Sequence, residues 1–175
     1  KPTVQTYTPF DFSLDKVKII GDIQPFMSEV KIDTINSNQY LIHLNLYTDF
    51  PSALPKFHVE IEYPRSNVHH LWSSRNWSTN SYITIPNYAS LVSEYNVVSA
   101  ISSTSDNRIT LTAHDDFMGN YIGISVKQRP NTVIFNLDYF YDNAPDAEIL
   151  EYKSTIFLDL REIQFSHVVR ESAQW

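Results

Sequence analysis

The sequence has no cysteine, only three glycines, and no apolar run approaching the length of a membrane span. Without thiols there is neither a disulfide framework nor a thiolate metal site, and nothing marks a redox compartment. Gly21, Gly119 and Gly123 stand far from any phosphate-cradling spacing, which argues against nucleotide binding. Charge is scarce as well: charged residues are 19% of the chain, below the usual quarter. That shortage leaves fewer solvated faces than an independent monomer wants. It predicts that another domain or a second subunit covers part of the surface, so a homo-oligomer is one expectation. The 13 basic and 20 acidic residues give a net charge of −7 with no Lys/Arg run, which argues against a nucleic-acid partner or an anionic membrane surface.

The opening KPTVQTYTPF lacks the charged-then-apolar pattern of a signal peptide. The expectation is an intracellular chain or one already trimmed. Asn76-Trp77-Ser78 matches a glycosylation sequon, which matters only in a secretory host.

What the sequence does contain is one strand pattern after another. Its 175 residues, 42% of them hydrophobic, suit a single domain with a sizeable core. VKIIGDIQ, EVKIDTIN and QYLIHLNLY follow closely from Val17, with Asn36-Ser37-Asn38 as turn residues between the last two. They predict an opening β-meander. In QYLIHLNLY, Ile42, Leu44 and Leu46 share one face, and Leu41, His43, Asn45 and Tyr47 share the other. Pro51 and Pro55 bar a central strand through TDFPSALPKF and mark a bend. Then FHVEIEY sets Phe57, Val59 and Ile61 inward and His58, Glu60 and Glu62 outward.

SYITIP reads as a short strand, Tyr88 to Val92 as either a helical turn or a strand, and EYNVVSAIS as a strand. RITLTA, YIGISV and TVIFNLDYF follow with clean alternation and short connections, which predicts that the three pair antiparallel. YKSTIFLDLR is the last strand, with Ile156, Leu158 and Leu160 on one face. From Phe165 to Trp175 the apolar spacing changes to three-and-four, a short helix with Ser166 as its N-cap. The fold class expected is all-β, an antiparallel sandwich with a short C-terminal helix.

Between FHVEIEY and SYITIP lies NVHHLWSSRNWSTNSY, Asn67 to Tyr82, read as a long connection with two of the three tryptophans. Long loops without secondary structure tend to be functional. Aromatic faces flanked by amides and guanidinium are an ordinary way to hold a sugar ring, the ring stacking and the polar groups taking hydroxyls. Trp72, Trp77, Asn76, His70 and Arg75 are therefore the candidate sugar contacts. Each indole serves equally well as a cap on the core, with its N–H satisfied at the edge.

Catalytic chemistry is hard to find. The adjacent His69 and His70 point to opposite sides of an extended chain, so one metal takes both only across a sharp bend. His114-Asp115-Asp116 has the oxygen-rich character of a Ca²⁺ ligand set, and equally that of a solvated turn. No serine sits in a nucleophile elbow, and no carboxylate pair is placed to converge on a glycosidic bond. The sequence yields no catalytic residue, no metal site and no cofactor.

HHLWS (His69–Ser73), Asn76-Trp77, NVVSAIS and DNRITLTAHDD (Asp106–Asp116), closing on STIFLDLREIQFSHVVRESAQW, together resemble the N-terminal β domain of bacterial α-galactosidases, the group related to raffinose synthases. The match covers about Phe57 to Trp175 by motif and the first part by strand order. The departure is TAHDD, where the family more often has a serine before the aspartate. The resemblance implies a supersandwich-like domain over residues 1–163 and a helical linker over 164–175, leading to a (β/α)₈ barrel outside this chain. In that family the barrel supplies the aspartate nucleophile and the aspartate acid/base of a retaining mechanism. It further implies that Asp159 and Arg161 form a D-x-R at the exit of the last strand, Arg161 pairing with Asp159 or a neighbouring carboxylate, and that Trp175 ends the linker helix. The partners would be the chain's own barrel and, through the parent enzyme, a carbohydrate, in the cytoplasm of a bacterium. The alternative is a free-standing carbohydrate-binding module using Trp72 and Trp77.

Overall fold

Strict alternation along the long strands gives each an apolar and a polar side, and two sheets bury the apolar sides against each other. A computed structural model describes residues 14–36, 39–63, 70–73, 83–84, 88–92, 97–101, 108–115, 122–128, 132–139 and 148–160. They form β1 (Val17–Ile20), β2 (Met27–Asn36), β3 (Gln39–Ser52), β4 (Phe57–Tyr63), β5 (His70–Ser73), β6 (Ile83–Thr84), β7 (Tyr88–Val92), β8 (Val97–Ile101), β9 (Arg108–Asp115), β10 (Ile122–Gln128), β11 (Val133–Tyr139) and β12 (Ile149–Asp159). One 3₁₀ turn, Leu14–Lys16, precedes them.

A five-stranded sheet runs β1-β4-β11-β10-β7 and a seven-stranded sheet runs β2-β3-β12-β9-β8-β5-β6. Every pairing within them is antiparallel. The protein is an all-β sandwich. Among the described residues no helix is long and apolar enough to cross a membrane.

The core follows the alternation. Ile42, Leu44 and Leu46 of β3, Ile109, Leu111 and Ala113 of β9, and Ile156 and Leu158 of β12 face Phe57, Val59 and Ile61 of β4, with Ile122, Ile124 and Val126 of β10 and Val133, Phe135 and Leu137 of β11, in one buried cluster. Phe57 stacks on Tyr139, centroids 4.6 Å apart, and Tyr152 meets both rings edge-on. Tyr139 belongs to one sheet and Tyr152 to the other, so these rings join the layers. A polar link accompanies them: the Tyr139 hydroxyl lies 2.8 Å from Ser154 Oγ, which donates to the His114 carbonyl at 2.8 Å.

Four expectations are corrected. The opening is not a meander, because β1 pairs with β4 while β2 pairs with β3 in the other sheet. Gly21, at φ +128, turns the chain out of β1, and buried Phe26 anchors the crossing with its N–H on the Ile23 carbonyl. Second, β3 continues through Pro51 to Ser52. Tyr47 opposes Glu151 and Ser52 opposes Ile149, so Thr48–Pro51 bulge out opposite Leu150 alone; a proline is tolerated where the ladder is already broken. Third, β9 does not pair with β10; it lies between β12 and β8, while β10 and β11 form the hairpin. Fourth, the tryptophan segment is not wholly a loop, since His70–Ser73 is a strand bonded to β8 and β6. Tyr88–Val92 is a strand. The helix and linker expected over 164–175, with Trp175, lie outside the described residues.

Candidate functional site

The outer face of the seven-stranded sheet gathers the polar residues that alternate with the core set. Cross-strand register arranges them in rows. One row runs Gln39, Asp159, Thr110, Ser99, Trp72 across β3, β12, β9, β8 and β5. The next contains Arg108, Ile101, His70 and Thr84. Two of the expected sugar contacts, Trp72 and His70, are thus brought to alternate positions of β5, and Trp72 shares its row with Asp159. Four strand spacings separate Trp72 from Gln39, about 19 Å, too far for one small ligand to touch both. Arg75, Asn76, Trp77 and Arg161 lie outside the described residues.

Asp159 is fully buried and accepts a hydrogen bond from Gln39 Nε2 at 3.2 Å. Thr110 and Thr112, beside it on β9, are buried too, as are Leu41 and Phe157 in the next row. Asp159 therefore ties the end of β12 to the start of β3 in a site closed to solvent. A carboxylate so enclosed is positioned for structure, since it cannot reach a ligand.

Along the same face the rows open into a groove. Glu29, Asn45 and Lys153 form one row and Lys31, His43 and Thr155 the next, around a cavity of about 280 Å³. His43 is held from both sides: Nε2 is 3.1 Å from Asp33 Oδ2 and Nδ1 is 3.4 Å from Thr155 Oγ1. Each lysine has its own carboxylate, Lys31 with Asp33 at 3.6 Å and Lys153 with Glu151 at 2.8 Å. Asn45 also lines the groove, with its side-chain oxygen buried. Thr155 continues the row to His114, whose pKa desolvation lowers.

This groove presents donors and acceptors with charges of both signs, which suits a polar, hydroxyl-bearing ligand. Thr155, His43 and Asp33 have the order of a nucleophile, base and orienting acid. They lack an oxyanion hole, because β3 and β12 are paired on both sides and spend their backbone N–H groups in the ladders. Glu29 is the one carboxylate on the groove wall, whereas glycoside cleavage needs two flanking the bond. Among the described residues no three His, Asp or Glu gather as metal ligands would. His114 and Asp115 are successive residues of β9; Asp116 lies outside the described residues.

The chain matches no family model and no curated protein. Its likeness to α-galactosidase domains rests on the motifs quoted above. The groove was not among the candidates from sequence. The available signal was the polar face of β3, His43 and Asn45, but its neighbours on β2 are 12 and 16 residues away and those on β12 are 108 and 112 away, and only pairing brings them together.

Proposed function

We propose that this chain is the non-catalytic β-sandwich of a sugar hydrolase resembling α-galactosidase, bracing and bordering a barrel that carries the catalytic aspartates. The observation that supports this reading is Asp159. The likeness assigns it to the exit from the sandwich, and there it is a buried tie between β12 and β3. A last strand anchored in this way gives a rigid point of departure for a following domain. By the same likeness the parent works in the bacterial cytoplasm on α-galactosides.

The test is hydrolysis of an aryl α-galactoside by the purified chain. The reading expects no galactose release, and release restored when the downstream barrel is joined to it. Saturable turnover by the chain alone would sink it.

A second reading, carbohydrate binding without catalysis, is favoured by the groove's mixed donors and acceptors on β2, β3 and β12. On this reading the contact lies on β2, β3 and β12, away from Trp72 on β5. Calorimetric titration with galactosides should then saturate, and Glu29→Ala on the exposed groove wall should weaken binding about three- to ten-fold, the worth of one hydrogen bond. Absence of heat at every sugar concentration would dispose of this reading and leave the first intact.

A further inference from the structure

Among the described residues, the seven-stranded sheet ends on a strand that is hydrogen-bonded on one side only. β2 bonds only to β3, so alternate N–H and C=O groups along its other side point away from the sheet. Natural edges are blunted by shortness, proline, a bulge, charged side chains along or inside the edge, or a covering helix or loop. Here the edge is ten residues long and contains no proline. Its register with β3 is unbroken from Met27 to Thr34. The charges, Glu29, Lys31 and Asp33, lie on the outer face opposite Asn45, His43 and Leu41, so none obstructs the core side. There Val30 and Ile32 are only half-buried although they pack against the core.

We infer that β2 pairs antiparallel with β2 of a second copy of this chain, about a two-fold axis through Val30, making one continuous sheet across the dimer. The occupant is specified by charge. An axis at Val30 places Glu29 opposite the partner's Lys31 and Lys31 opposite the partner's Glu29. It also sets Val30 against its own copy on the core side and keeps the seven residues from Met27 to Asp33 within the straight part of the strand. An axis at Lys31 would stack two lysines and set Glu29 against Asp33. A parallel pair in register would repel at all three charges. Opposite charges directly across a strand pair are favourable and like charges are not, by about 0.2–1 kcal/mol each. The alternation acid, base, acid is therefore complementary to itself in the antiparallel sense once the axis is displaced by one residue from its centre. The inference does not depend on the hydrolase reading.

Light scattering with size exclusion tests it. The wild-type chain should elute at twice its 20.3 kDa. Lys31→Glu and Glu29→Lys should each be monomeric with unchanged far-ultraviolet circular dichroism, since both positions are exposed. An equimolar mixture of the two variants should recover the dimer, because each now presents the charges the other lacks. Amide exchange in Met27–Asp33 should slow with protein concentration in the wild type and not in either variant alone. A wild-type monomer at the highest attainable concentration, or dimers that both substitutions leave intact, would overturn the inference.

Discussion

Ser154 and Tyr139 show how much one side chain can hold. Ser154 Oγ joins a tyrosine from one sheet to a carbonyl of the other. Tyr139→Phe removes one of these bonds and should cost about 1 kcal/mol; Ser154→Ala removes both and should cost about 2 kcal/mol. Urea denaturation of the two variants checks the order, and equal losses would mean the link contributes little. His114 makes a second prediction. Desolvation lowers its pKa in the folded protein, so between that value and the ordinary 6.5 the unfolded chain binds the extra proton. Stability should therefore fall as pH drops below about 6.5, modestly, because the residue keeps part of its surface in water. His114→Gln should flatten the melting temperature over that range. At this scale the sequence was least informative. Nothing in His43, Asn45 or Ser154 taken singly distinguishes a groove wall or a cross-sheet link from a solvated position, because each role is conferred by residues far away in the chain.

Among the strands, burial is set by alternation and can be tested through it. Leu44→Ala on the inner face of β3 should cost about 2–5 kcal/mol through transfer and cavity terms, whereas Lys153→Ala on the outer face of β12 should stay within about 0.5 kcal/mol. Gly21→Ala offers a different contrast. A Cβ there would meet Phe57 Cα at an ordinary 3.5 Å, but φ is +128, so a loss of about 1 kcal/mol should come from backbone strain alone. The inward sets of β3, β4, β10 and β12 were legible because period-two alternation depends only on neighbours along the chain. Sheet membership was not. β9 and β10 alternate equally well and go to different sheets, since both sheets bury the same kind of face in one shared core. Pro51 misled for a related reason: proline forbids a ladder hydrogen bond, and a bulge had already removed the need for one. In the tryptophan segment, polar composition masked the strand His70–Ser73, which is held by partners on β8 and β6.

As a whole the chain is a two-layer sandwich. Among the described residues Asp159 is the one enclosed carboxylate, Glu29 is the one acid lining the groove, and β2 is hydrogen-bonded on one side. The low charge content, which predicted a covered surface, gains a location in β2 if the dimer forms. The central claim concerns what accompanies the sandwich, and the intact mass of the native polypeptide tests it most directly. The account predicts a mass well above 20.3 kDa, large enough to include a barrel of about 250 residues. A native polypeptide of 20.3 kDa would contradict it.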